Sequence, residues 1–240
     1  MKRSALVVLA VLMFATTVGC GARDDRAETI DGSTVDSKSK PKAKAPDDAA
    51  GVKLTQAQVD AALPTVADLP SGWTLGESSD EDSDDDKIEP AKCSELMDSM
   101  DADEKDAAAV GERDFTKGGP FGTLMGVSVS SYKDNVDGDE LKKVANAFGA
   151  CSSFEGTDKD GVVSKYKVAP LSLANIGDHS LAMAMTVESQ GFTMAINMYL
   201  VVVGHNTLTL YNGGIAGADG ADLETIGKLA IKRLEEAAKH

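Results

Sequence analysis

Chemistry in this chain has few reactive side chains to draw on: three histidines, three cysteines and one dense run of carboxylates. Asp178-His179-Ser180 contains the residue types of a proton relay, but neighbours in sequence point apart, and a relay needs groups converging from separate elements. A turn ahead of a strand is the plainer reading. His205 stands in Gly204-His205-Asn206, a tight-turn signal, and His240 is terminal. Neither a Gly-x-Ser-x-Gly elbow nor a phosphate-cradling glycine loop nor a His-Glu-x-x-His pair occurs. The expectation is a protein that is not an enzyme, with a cell-envelope hydrolase as the last of three functional readings. Asp80-x-Asp82-x-Asp84 offers a hard cation oxygens at alternate positions. Yet Asp85 stands where a calcium loop bends on Gly, Lys87 where an aliphatic residue belongs, and Ala91 where a bidentate Glu should close the site. Residues 77–86 therefore read as a solvated acidic loop, with weak divalent-ion or basic-partner binding as the alternative. No metal site and no cofactor are expected.

Methionine is the more suggestive residue type. Met125, Met183, Met185, Met194 and Met198 all fall on expected strands, and unbranched thioethers rearrange cheaply around varied apolar partners. Met185, Met194 and Met198 form the expected lining of a ligand site, with His179 and His205 at loops on its border. The competing reading is a methionine-filled core, since only 5% of the residues are aromatic and something must fill the volume between sheet and helices.

The address is written at the start of the chain. Lys2 and Arg3 precede an apolar run, Ala5 to Val18, of about 14 residues, shorter than the roughly 20 that span a bilayer as a helix. The run closes on Thr17-Val18-Gly19-Cys20, which resembles the lipobox of bacterial lipoproteins, with Thr17 in place of the usual Leu. That resemblance implies a signal peptide over 1–19, a diacylglycerol on the Cys20 thiol and attachment to the extracytoplasmic face of the cell membrane. An ordinary secretory peptide with a chance cysteine is the alternative. Two acyl chains suffice for stable anchoring without basic residues. Residues 20–53 are polar, with no apolar periodicity, and read as a flexible lipid-anchored linker with a typical end-to-end distance of about 30 Å.

Once Cys20 is assigned to lipid, Cys93 and Cys151 remain. Cys93, Leu96, Met97 and Met100 have the spacing of one helical face, as do Leu141, Val144, Phe148 and Cys151. Two core-facing thiols in an oxidising compartment predict a disulfide, the alternative being two unpaired structural cysteines.

With 42% hydrophobic and 26% charged residues in 240, the chain can build one ordinary core, placed at 54–240. Its net charge of −15, or −17 once Lys2 and Arg3 are removed, gives a nucleic-acid backbone nothing to bind and repels anionic headgroups. Thr55 caps a helix that Pro64 ends, and Pro90 opens the Cys93 helix. Strands are expected over 107–115, 123–132, 161–169, 180–187, 192–202 and 207–211, with Gln190-Gly191 and Gly204-His205-Asn206 as turns. Asp137 or Asp139 caps the Cys151 helix, and a last helix carries Leu223, Ile226, Ala230, Leu234 and Ala237 on one face. The order predicts an α+β domain, an antiparallel β-sheet with helices packed on one face.

Several short motifs stand in this framework: Leu69-Pro70-Ser71-Gly72-Trp73, a cysteine helix, a helix ending in Cys151, Ile176-Gly177-Asp178 and Val201-Val202-Val203-Gly204-His205-Asn206. Together, over residues 54 to 238, they resemble the PknH-like extracellular sensor domain, found on actinobacterial receptor kinases and on free-standing lipoproteins. The resemblance implies an α+β fold with a cleft for an unidentified ligand. Members of that family carry two disulfides, where this chain can form one. The resulting expectation is a non-catalytic binding or sensing module. Its partner would be a small molecule, a lipid, a cell-wall component or a protein. The second reading is a lipid or glycolipid carrier with an apolar cavity.

Overall fold

The computed structural model describes residues 51–76, 87–94, 106–119, 122–215 and 217–239. The signal segment, Cys20, nearly all of the linker and the acidic run 77–86 lie outside the described residues. Helix α1 (Gln56–Ala62) starts where the sequence says it should: Thr55 and Gln58 form a reciprocal capping box, and Leu63 leaves the helical region ahead of Pro64. A 3-10 turn at Val66–Asp68 leads to strand β1 (Trp73–Leu75). Strand β2 (Lys87–Glu89) comes next, followed by a helical turn at residues 91–94 that carries Cys93. Strands β3 (Ala109–Lys117) and β4 (Thr123–Ser131) follow, then helix α2 (Gly138–Ala150), capped by Asp137. Strands β5 (Ser153–Thr157), β6 (Val163–Pro170), β7 (His179–Ser189), β8 (Phe192–Val203) and β9 (Asn206–Gly214) lead to helix α3 (Gly220–Ala237), capped by Asp219.

All nine strands form one antiparallel sheet in the order β1-β3-β4-β9-β8-β7-β6-β5-β2. The six expected strands are present; β1, β2 and β5 are additional. Three to five residues carry too little alternation to stand out in a sequence, and these short strands exist because a longer neighbour supplies their hydrogen bonds. Between β7 and β8, Gln190 and Gly191 both have positive φ, the mirror-image turn whose twist suits a two-residue hairpin.

The expectation of helices on one face is corrected. On β8, Tyr199, Val201 and Val203 pack into a core with α1 and α3, including Val59, Phe115, Leu208, Leu210, Leu223 and Leu234. Leu200, between them, packs into a second core with Met183, Leu181, Phe148, Phe154 and the two cysteines. Successive side chains on a strand point to opposite faces, so these cores lie on opposite sides of the sheet. The α1 and α3 side is the first face, the α2 side the second. Residues 198–203 are apolar at every position, the pattern of a strand covered on both sides.

Polar ties hold the first core shut. Arg113 donates to the carbonyls of Leu63 (3.3 Å) and Pro64 (2.6 Å), and Arg233 pairs with Asp68 at 3.0 Å while donating to the Ala61 carbonyl. Burial works against ionisation of Asp68, but the Thr65 hydroxyl and amide and the Arg233 guanidinium outweigh it and hold the carboxyl below its ordinary value.

Cys93 and Cys151 form the expected disulfide, joining the turn after β2 to the end of α2 inside the second core. Phe154 and Tyr166 stack in the same core with centroids 4.7 Å apart. Constraining a loop of 58 residues contributes about 4 kcal/mol on the chain-entropy model. Melting with and without reductant should therefore show a substantial drop in Tm, and peptide mapping without reductant should recover the linked pair. Equal melting temperatures would mean that the second core holds without its cross-link.

Candidate functional site

Register decides which side chains of β7 and β8 share a face. Met183 pairs with Met198, Met185 with Ile196 and Val187 with Met194. Opposed residues in a ladder project to the same side. Met185, Met194 and Met198 thus stand together on the second face, in line with Phe192 and Ile196, and all three are half-buried. Met125 and Met183 are instead buried in the first and second cores. The two readings of the methionines divide: two of the five fill cores, and three form a half-open apolar surface.

The row through Met198 continues across the sheet. Met198 is opposite Tyr211, Tyr211 opposite Gly126, and Gly126 opposite Asp114. A Cβ on Gly126 would come within 2.1 Å of the edge of the Tyr211 ring, so the glycine is what lets the phenol lie across β4. Its hydroxyl then donates to Asp114 Oδ1 at 2.8 Å. Burial pushes the Asp114 carboxyl above its ordinary pKa, and the Tyr211 hydrogen bond reverses this only in part. Burial also pushes the Tyr211 hydroxyl up, with the negative charges of Asp114 and Glu112 adding to it.

Along β3, β4, β9, β8 and β7 the second-face positions carry two carboxylates, Glu112 and Asp114, and neither Lys nor Arg. Helix α2 packs against β6 and β7, whereas α1 and α3 lie on the other side. Among the described residues no helix covers the second face at the Phe192 end of β8. Neither is there a group of three or more His, Cys, Asp or Glu placed to hold a metal ion among those residues.

The two histidines are not part of this surface. His179 opposes Val202, eight residues and about 26 Å along β8 from Met194. Its ring lies against Gly138 at the start of α2, where a Cβ would come within 2.5 Å of the imidazole. His205 belongs to the β8–β9 turn, where its amide donates to the Gly51 carbonyl, its carbonyl accepts from Tyr132, and Nδ1 lies 3.2 Å from the Tyr132 carbonyl. Asp178 accepts from the Gly204 amide at 2.8 Å, and Asn206 donates to the Val52 carbonyl. The Ile176-Gly177-Asp178 and Gly204-His205-Asn206 motifs therefore clamp one end of the sheet and hold the chain from Gly51 onward, three residues ahead of the expected boundary at 54.

Asp114, Tyr211, Phe192 and Ile196 were missed as site residues. Phe192 and Ile196 share the two-residue period of Met194 and Met198, a legible signal. Asp114 and Tyr211 are 97 residues apart and meet only through the β3-β4-β9 register.

Because the folded state holds the Asp114 proton more tightly than the unfolded chain, its stabilising contribution is full below the ordinary carboxylate pKa. It is lost as pH rises through the raised value. Asp114→Asn keeps a hydrogen-bond acceptor without the charge. It should melt at or above the parent at pH 7, and the difference should shrink toward pH 3. Gly126→Ala should cost 1–3 kcal/mol, approximately, by displacing the Tyr211 ring. Urea melts across this pH range check both.

No family model matches the chain, and no curated protein is similar to it in sequence. Among solved structures, the extracellular domain of PknH from Mycobacterium tuberculosis superposes with a TM-score of 0.55 at 12% identity, over 79% of this chain and all of that one. The two share a fold. An uncharacterised protein from Mycobacterium smegmatis superposes at 0.42 with 11% identity, over 70% of this chain and 92% of the other, too loosely to bear on the fold.

Proposed function

We propose that this chain is a non-catalytic binding or sensing module, held on the extracytoplasmic face of the membrane by lipid on Cys20, with the second face of its sheet as the binding surface. The observation that carries the reading is the methionine surface itself. Met185, Met194, Met198, Ile196 and the 44% exposed Phe192 are apolar side chains that neither core absorbs. Exposed apolar patches of this kind mark interaction sites. The fold shared with an extracellular receptor-kinase domain supports a sensing role, and the disulfide suits an oxidising compartment. Half-exposure of the three methionines favours surface binding over carriage of a lipid in an enclosed cavity. No described helix is long and apolar enough to cross a membrane, so attachment in this reading rests on the lipid.

Two measurements test it. Cys20→Ser should shift the protein from the membrane fraction to the medium or leave it as uncleaved precursor; continued detergent-dependent partition would refute the anchor. With methyl-labelled methionine, envelope extracts should shift the Met185, Met194 and Met198 signals and leave those of buried Met125 unmoved. A fraction that moves none of the three, across lipids, wall fragments and envelope proteins, would refute the binding surface.

A further inference from the structure

Asp114 is a half-buried carboxylate whose hydrogen bond comes from a neutral phenol. No Lys or Arg occupies a second-face position of β3, β4, β9, β8 or β7, so no strand neighbour on that face supplies a counter-charge. Withdrawing a carboxylate from water without a cation is unfavourable, and a ligand that brings one removes the penalty. Three strand spacings away, about 14 Å, runs the column Phe192, Met194, Ile196 and Met198, about 20 Å long. An acidic spot on one side of an adaptable apolar strip is complementary to a ligand that is basic on one side and apolar on the other.

We propose that this face docks an amphipathic polypeptide segment, which lays its apolar side chains on the methionine column and sets a Lys or Arg against Asp114. The proposal rests on the binding surface argued above and names the partner's chemistry. A strip of about 14 by 20 Å takes roughly three to four turns of a helix about 10 Å across, laid along the column. Methionine-rich surfaces recognise helices through such apolar anchors. A small apolar ligand would need enclosing walls, which the described elements do not build around Phe192 and Met194. An anionic bilayer is disfavoured by the chain's net charge of −15.

The test uses the full chain carrying Cys20→Ser, labelled at methionine methyls, and an 18-residue helical peptide of Leu and Lys. Its control is the same peptide with Glu in place of Lys. The expected result is saturable shifts at Met185, Met194 and Met198 with the Lys peptide and at least tenfold weaker binding of the Glu peptide. Met194→Lys should weaken binding at least tenfold and Asp114→Asn at least threefold. Thr193→Lys, one residue away but on the first face, should leave binding unchanged. Equal binding of the two peptides, or insensitivity to Asp114→Asn, overturns the basic partner while leaving the surface in place. Shifts produced only by lipid vesicles assign the face to a bilayer instead, and contacts from these methyls to the chain's own residues in the free protein assign it to self-packing; either result overturns the proposal. Indifference of all three methyls to peptides, vesicles and envelope extracts alike removes the binding surface itself.

Discussion

Strand β8 is apolar on both sides, and the rest of the molecule is arranged around that constraint. Tyr199, Val201 and Val203 look toward α1 and α3; Leu200 looks toward α2 and the disulfide. A strand with only one apolar side can face water on the other, as many antiparallel strands do. Here a single layer of helices would have left half of β8 in water, so the chain must deliver helices to both faces. It does so by splitting the sheet. The half nearer β3 and β4 is covered on the first face, and the half nearer β6 and β5 on the second. The uncovered remainder of the first face, over β5, β6 and β7, is polar and carries the cross-strand pairs Lys165–Glu155 and Lys167–Glu188. The uncovered remainder of the second face is the methionine surface. Where solvent meets the sheet, the first face carries paired charges of both signs and the second carries an apolar column with Glu112 and Asp114 as its only charged strand residues.

Crossing from one core to the other requires a fixed point, which the β8–β9 turn provides. After β4 the chain passes over this turn, with Tyr132 and Val136 donating to the carbonyls of His205 and Gly204, before Asp137 caps α2. From the other side Gly51 reaches the same turn. A side chain at Gly204, whose φ is +57°, would collide with Gly51, and one at Gly177, whose φ is +67°, would collide with the Val202 carbonyl. The motifs that carried the family resemblance are therefore the parts that let three separated segments meet at one end of a sheet. They encode the fold more directly than any ligand contact.

What was legible in the sequence follows from this. Caps and turns are local, so Thr55, one of the pair Asp137 and Asp139, and Gln190-Gly191 could be read and were found in place. The cysteine pair was legible because two thiols were left for each other once Cys20 was expected to carry lipid. The distribution of helices over two faces was also encoded, at 198–203, where every position is apolar. The site was legible where it lay on one strand or one hairpin: Met194 and Met198 share a face by spacing alone, and Met185 joins them across the Gln190-Gly191 turn. Asp114 and Tyr211 are ordinary residues of two ordinary strands, and nothing local brings them together. Their encounter is fixed by β4 lying between β3 and β9, with a glycine at the one position where a side chain would block it.

A protein could have avoided an exposed methionine column simply. Alternation on β8 needs only polar residues at 194, 196 and 198 to give the second face the character that Lys165, Lys167, Glu155 and Glu188 give the first. Thr207 and Thr209 on β9, and Ser128 and Ser130 on β4, show that the same face accepts hydroxyls a strand or two away. The apolar column is therefore not imposed by the fold. Neither is the carboxylate of Asp114, since an amide would accept the Tyr211 hydrogen bond without the cost of a half-buried charge. Two departures from the most stable choice meet in one row of the sheet, and the proposed binding surface rests on their coincidence.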